Sequence, residues 1–439
     1  MARRPIPWLL AVFALLLVAT WLLGPRLLAV AVPASATPGP APADVTGSSA
    51  ATPGSSSEVG GAPSANQGTG GSTKRVVLGY YVPYDPTSWA SFQAHAADLD
   101  YVDAQWVTVD GCGNLGSRDD RTLIAFAGQH GVKVLPSLLT SSGWLNHRLL
   151  TDPATTDHFV KQIVSYVVDM GYPGIDLDME GINAEDRDAY SALVAAVADA
   201  LHQRGKILTL AIPAKSSDVR TGWAGPYDYA ALGKQADLIL LMTYDYSWST
   251  SPPGSIAPQA WVDRVATYAV SQIPSDKLLI GLAFYGYDWN TTLGGKARAL
   301  QYPQAAALAS QHGTRIATDA TTSSGTFSYT AAAGEIPPPT PPVPTIQHDI
   351  VVRTPAPCSV QPPPTLPPPT PTPGPPPKPR PTVPPSAVQQ HVVWLEDAAS
   401  AAARLQIATR HNVRGVGTWR LGQEDPGVWP ELSAFRSGK

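Results

Sequence analysis

The residues with the clearest capacity for chemistry are Asp176, Asp178 and Glu180, in the segment Gly-Ile-Asp-Leu-Asp-Met-Glu that starts at Gly174. Apolar and acidic residues alternate there as in a β-strand, whose side chains point to opposite faces in turn. The three carboxyls therefore share one face, and Ile175, Leu177 and Met179 share the other. Burying acids side by side is costly unless they share protons or partners. Closely spaced carboxyls cannot all ionise near neutral pH, so at least one keeps its proton above its usual pKa. A proton held in that way is what a general acid needs. A calcium site or a solvated strand end is the bland alternative, and the apolar residues at every other position argue against it.

Such a strand needs a frame, and the chain supplies a repeating one. Strands are expected at Val76–Tyr81, Tyr101–Val109, Val132–Leu138, Gly174–Glu180, Ile207–Pro213, Leu238–Tyr244, Leu278–Phe284 and Gly415–Trp419. Helical segments lie between them, such as Ser88–Leu99, Asp186–Gln203, Gln259–Ser271 and the Ala-rich Glu396–His411. Repeated β-α units imply a parallel sheet, and eight of them suggest closure into an α/β fold of the (β/α)8 TIM-barrel type. A doubly wound open sheet is the competing layout, but no GxGxxG follows the first strand and no Walker loop is present. Barrel enzymes place their chemistry at the C-terminal ends of the strands. The acidic strand ends there.

The seventh and eighth strands are far apart, so an insertion is expected at about 290–390. Residues 290–335 could form a small α+β element. Residues 336–386 hold about half of the 46 prolines and read as a proline-rich spacer of extended chain. Arg3 and Arg4 precede an apolar run from Pro7 to Leu23, so residues 1–32 read as a signal peptide or a membrane anchor. Residues 33–74 are Ala, Pro, Gly, Ser and Thr and read as a tether without a core. The barrel is then expected over 75–439, outside the cytoplasm, secreted or held at the outer face of the membrane.

Composition narrows the function classes. The 439 residues carry a net charge of −4, so no basic face for nucleic acid is implied. Two Cys exclude a disulfide scaffold and a multi-Cys zinc site. Cys112 and Cys358 could pair in an oxidising compartment or stand as two free thiols. Nine His show no ligand spacing, so neither metal nor cofactor is expected. Twelve Trp and sixteen Tyr against seven Phe give a polar-tipped aromatic balance that suits a sugar-binding cleft.

The D-x-D-x-E strand resembles that of family 18 glycoside hydrolases, the chitinases and their relatives. Gly79-Tyr80-Tyr81, Met242-Thr243-Tyr244-Asp245, Phe284-Tyr285-Gly286 and Trp419 match the family's first, sixth, seventh and eighth strands. The stretches YDYSWSTSPPGSIAP and IPSDKLLIGLAFYGYDW, with VVWLEDAASAAARL and RGVGTWRLG, are especially similar to its spore-cortex-lytic N-acetylglucosaminidase branch. The resemblance implies a retaining hydrolysis in which the substrate's own acetamido group is the nucleophile. Glu180 would protonate the glycosidic oxygen, Asp178 would orient the acetamido group, and Asp176 would hold Asp178. Tyr244 would act with them, Asp245 and Met242 would bind sugar beside it, Tyr80 would line the pocket base, and Trp419 would form its floor. The implied partner is an N-acetylglucosamine-containing polysaccharide, bound by a monomer.

The sequence also departs from that pattern. Pro173 stands where the family usually has another Asp, Met179 replaces a common aromatic residue, and LPSLLTSSG replaces the usual S-x-G-G loop. A non-catalytic chitinase-like lectin is the alternative from another class. The presence of Glu180 with both aspartates and Tyr244 favours the enzyme.

Overall fold

The computed structural model describes residues 74–438, apart from 334, 336, 337, 341, 361 and 363–387. The expected signal or anchor and the tether lie outside the described residues, as does most of the second half of the proline-rich segment. Among the described residues, no helix is long and apolar enough to cross a membrane.

The strands, in chain order, are β1 (Val76–Tyr81), β2 (Tyr101–Val109), β3 (Leu115–Asp120), β4 (Lys133–Thr140), β5 (Gly174–Met179), β6 (Ile207–Pro213), β7 (Leu238–Met242) and β8 (Leu278–Ala283), then β9 (Tyr285–Asn290), β10 (Arg298–Gln301), β11 (Ala317–Thr318), β12 (Gly325–Ala331), β13 (Ile350–Arg353), β14 (Gln389–Leu395) and β15 (Gly415–Trp419). Eight of them are parallel neighbours in the order β1-β15-β8-β7-β6-β5-β4-β2, and β2 pairs with β1 to close the ring. The expected (β/α)8 barrel is the observed one.

Strand alternation sorts the core into two layers. Val77, Val102, Ala104, Ile175, Leu177, Leu208, Leu210, Ile239 and Leu241 face outward and pack with the helices. Val76, Leu78, Tyr80, Ala211, Leu238, Leu240 and Leu279 fill the interior. The helices begin where short polar side chains can take up free backbone N–H groups. Asp85, Asp120, Asp152 and Asp228 cap the helices Pro86–His95, Arg121–Gln129, Pro153–Asp169 and Tyr229–Gln235 in this way. Asp397 and Ser400 form a reciprocal capping box at the head of Ala398–Arg410.

Between β8 and β15 the chain builds an antiparallel sheet in the order β10-β9-β14-β12-β11, with the helix Tyr302–Gln311 against it. This is a small α+β element, and it takes in β9 and β14, which lie largely outside the expected 290–335. Leu300, Leu308, Phe327, Tyr329, Val393 and Leu395 give it a core of its own. Asp288, buried, ties it together: it accepts from Tyr329 and pairs with His391 and Arg298.

In its described residues the proline-rich stretch is more structured than its composition implies. Within it β13 pairs antiparallel with β3, which itself folds back on β2 as a hairpin. His348 reaches the Asp120 cap at 2.5 Å, and Arg121 N–H donates to the Asp349 carbonyl. A few residues further on, Cys358 is joined to Cys112 by a disulfide across 246 residues of sequence. Four residues of β-pairing hold a strand weakly, whereas a disulfide typically contributes on the order of 2–4 kcal/mol, and more when it closes a long loop. Reduction, or Cys358→Ser, is therefore expected to speed proteolytic cutting between 342 and 360 by roughly tenfold or more. The barrel fragment should stay intact. Limited proteolysis read by mass spectrometry checks this, and equal cutting of both forms would contradict it.

Candidate active site

Asp176 and Asp178 rise along the interior of β5 and are buried. Glu180 follows the last strand residue and is the one acid of the three that is partly exposed. The turn beyond it needs a glycine: Gly181 has φ +66°, and a Cβ there would come within 2.9 Å of the Ser141 carbonyl. The Glu180 backbone is held on both sides. Its N–H donates to the Thr140 carbonyl at 2.7 Å, and its carbonyl accepts from Asn146 Nδ2 at 2.6 Å. Tyr227 donates to the Met179 carbonyl at 2.7 Å.

The two aspartates differ sharply in their partners. Asp176 accepts three hydroxyl hydrogen bonds, from Tyr80 at 2.9 Å, Ser137 at 2.8 Å and Thr209 at 2.9 Å. These donors oppose the burial that pushes its pKa up. Asp178 has one long contact, from Gln105 Nε2 at 3.5 Å, and its Oδ1 has no partner among the described residues. Burial first, then the neighbouring Glu180 and Asp176 charges, hold its carboxyl well above the usual range. The charge of the pair thus belongs on Asp176, and the proton on Asp178. Burial, followed by the Asp245 charge, pushes Glu180 up to about 7.

The opposite wall comes from the ends of β7 and β8. Tyr244 comes close to the strand wall because β8 carries Gly281, where a Cβ would meet the Tyr244 ring at 2.9 Å and the Leu241 carbonyl at 2.4 Å. Burial, then the Asp178, Glu180 and Asp245 charges, keep its phenol protonated. Asp245 adopts a left-handed backbone at φ 57°, which a short acid tolerates better than most residues. Its Oδ1 accepts from Tyr285 at 2.5 Å and Tyr287 at 3.2 Å. Burial outweighs those two donors and pushes it up to about 6. The partly buried Trp419 sits 5.4 Å from the Tyr80 ring, centroid to centroid, and packs with Tyr244 and Tyr285. Met242 ends β7 in register with Pro213 and is partly exposed.

All eight sequence-selected residues, Asp176, Asp178, Glu180, Tyr244, Tyr80, Met242, Asp245 and Trp419, thus belong to the barrel strands or to their C-terminal ends. Hydrogen bonds or charge couple the acids and the two tyrosines, whereas Met242 makes no polar link to them among the described residues. Ser137, Thr209, Gln105, Tyr285 and Tyr287 were not foreseen. Ser137, Thr209 and Gln105 are ordinary strand residues distinguished only by inward parity at the height of an acid, whereas Tyr285 and Tyr287 lie on β9, Tyr285 within the Phe284-Tyr285-Gly286 motif. Among the described residues, one group has metal-like spacing, Asp110 with Cys112 and Cys358. Its sulfurs are joined to each other, which removes both thiolates as ligands.

The arrangement provides a proton at a partly open carboxyl, a buried charge behind it and aromatic side chains, Tyr80, Trp419 and Tyr285, packed beside them. A general acid at Glu180 sets a pH signature. Its proton is lost as pH rises through about 7, so activity is expected to fall along that limb. Stability follows the same direction. The folded state holds a proton that the unfolded chain releases near 4.5, so ΔG of unfolding declines as pH rises from about 4.5 to about 7. A kcat profile and thermal melts across pH 4–9 check both. An activity limb that rises through pH 7 would contradict the acid role.

A family model described as glycosyl hydrolases family 18 matches residues 76–424. The cortical fragment-lytic enzyme of Bacillus subtilis (strain 168) is 28% identical over 293 residues, 66% of this chain and 56% of that relative. This chain therefore spans little more than half of that relative's length. The uncharacterized glycosylase YvbX of the same organism is 26% identical over 297 residues, 67% of this chain and 70% of that protein. Among solved structures, a chitinase from Chromobacterium violaceum ATCC 12472 superposes with a TM-score of 0.65 at 24% identity, covering 82% of this chain and 98% of that one. The Bacillus cereus spore cortex-lytic enzyme SleL does so with a TM-score of 0.64 at 22% identity, covering 82% and 73%. At these identities the two superpositions bear on the fold alone.

Proposed function

The chain belongs to family 18 of the glycosyl hydrolases, and from that premise we propose that it is an exported glycosidase cleaving β-1,4 bonds at N-acetylglucosamine residues of chitin or peptidoglycan. The observation that carries the reading is the state of Glu180: a partly open carboxyl whose proton is held to about 7, at the head of a buried Asp178–Asp176 pair. Glu180 donates that proton to the glycosidic oxygen as the bond to the anomeric carbon breaks. The acetamido carbonyl oxygen of the same sugar forms the new bond to that carbon. Asp178, with Tyr244, orients the acetamido group, and Asp176 takes up the charge of the pair. Water then opens the cyclised sugar with Glu180 as base, restoring its proton.

Sugar contacts are assigned to Tyr80 at the pocket base, Trp419 beneath the ring, and Asp245 and Met242 at the end of β7. Export is supported by the basic and apolar N-terminal run and by the disulfide, which suits an oxidising compartment. The decisive measurement is product analysis on chitooligosaccharides and on peptidoglycan side by side. Release of reducing-end N-acetylglucosamine from either supports the proposal and names the polymer. Saturable binding of both without turnover would mean a lectin.

A further inference from the structure

The Asp103 carboxyl takes part in none of the steps above. It lies midway along β2 and is completely buried. Its neighbours Val102 and Ala104 pack outward among the helices, so Asp103 points into the barrel with Tyr101 and Gln105. Its register partners are Tyr80 on β1 and Leu135 on β4. Neither carboxyl oxygen has a hydrogen-bond partner among the described residues.

The titratable groups facing it are Tyr80 from β1 and Asp176 and Asp178 from β5. Burial, then those two carboxyls, hold Asp103 well above the ordinary carboxylate range. The basic residue of the same strand parity, Lys133 at the start of β4, is exposed and lies over the Tyr101 ring at 5.5 Å. An ionised carboxylate without donors or a cation would bear an uncompensated desolvation cost. The neutral acid avoids it. Asp176 is the contrasting neighbour: three hydroxyls donate to it, one of them from Tyr80, the register partner of Asp103.

We propose that Asp103 is a positioning residue, a carboxylic acid kept neutral beneath the Asp176–Asp178 pair so that the pair's negative charge stays on Asp176 and its proton on Asp178. The dipole of a neutral acid close to Asp176, without a hydrogen bond to it, favours that charge. A second anion there would oppose it and favour protonation of Asp176, deeper in the barrel and away from the sugar. The inference rests on the reading of Asp176, Asp178 and Glu180 as the catalytic strand.

Two variants and one spectrum test it. Asp103→Leu keeps the branched outline, at a larger volume, and removes the polar atoms. It should move the acidic limb of kcat/KM on chitooligosaccharides up by on the order of one pH unit, because Asp176 becomes easier to protonate. Asp103→Asn restores a neutral donor and should recover the wild-type limb. An acidic limb that moves down in Asp103→Asn would mean the group is ionised in the wild type. Identical profiles for both variants would reduce it to a filler. Either result overturns the proposal. The infrared difference spectrum of wild type minus Asp103→Asn at pH 8 needs no substrate and stands even where Asp103→Leu fails to fold. A protonated-acid C=O band supports the proposal, and carboxylate bands alone overturn it. A chain without turnover on any glycan would sink the hydrolase reading and leave the spectrum to decide Asp103 by itself.

Discussion

Glu180→Gln is expected to abolish turnover while leaving the fold and sugar binding in place. The amide fills the volume of the acid, and the contacts that fix this position are backbone ones: the Glu180 N–H to Thr140 and the Glu180 carbonyl to Asn146. What the amide cannot do is deliver a proton to the leaving oxygen. General acid catalysis contributes about 10²–10⁴-fold, or roughly 3–5 kcal/mol of barrier. A loss of that size in kcat, with KM changed little, would mark an interaction made in the transition state. The variant should also melt higher than the wild type above pH 7, since it removes a buried group that ionises there. Two measurements check this, steady-state kinetics and thermal melts at pH 6 and pH 8. A folded variant with near wild-type turnover would remove Glu180 from the role of acid.

How much of this was legible beforehand depended on whether the signal was local. The acidic strand was readable because alternation put Asp176, Asp178 and Glu180 on one face within seven residues. The eight barrel strands were readable because each is a short apolar run bounded by polar residues, followed by a helix-length segment. The β3–β13 pair was not, because Ile350–Arg353 is a short apolar run set among prolines and finds its partner more than 200 residues away. The disulfide stayed open for the same reason: nothing near Cys112 or Cys358 indicates the other. Ser137 and Thr209 were missed because a hydroxyl in a strand is an ordinary β-former until an acid on the next strand lies level with it. Asp103 was hidden because its strand carries no acidic pattern, and only the curved β2-β4-β5 pairing brings it toward the β5 acids.

The nucleophile should reveal itself through the substrate. Asp176, Asp178 and Glu180 stand on one strand and its end, so all three approach the sugar from one side. A retaining enzyme that used a protein nucleophile would need a second carboxylate about 5–5.5 Å from the acid, across the scissile bond. Asp245 is the acid on the facing wall. Its Oδ1 is taken up by hydrogen bonds from Tyr285 and Tyr287, which draw charge from the carboxylate and weaken it as a nucleophile. In the proposed mechanism the acetamido oxygen of the substrate fills that role without any further residue. Fully de-N-acetylated oligosaccharides are therefore expected to be inert, with losses of at least the 10²–10⁴-fold typical of removing a catalytic group. A thiazoline mimic of the cyclised sugar should inhibit competitively and well below the KM of the substrate, as expected of an analogue of a strained intermediate. Asp178→Asn should weaken that inhibition, because Asp178 orients the acetamido group. Efficient cleavage of deacetylated or cellulose-type chains, with no effect of the thiazoline, would assign the nucleophile to a protein carboxylate. Asp245 would then be the residue to substitute next.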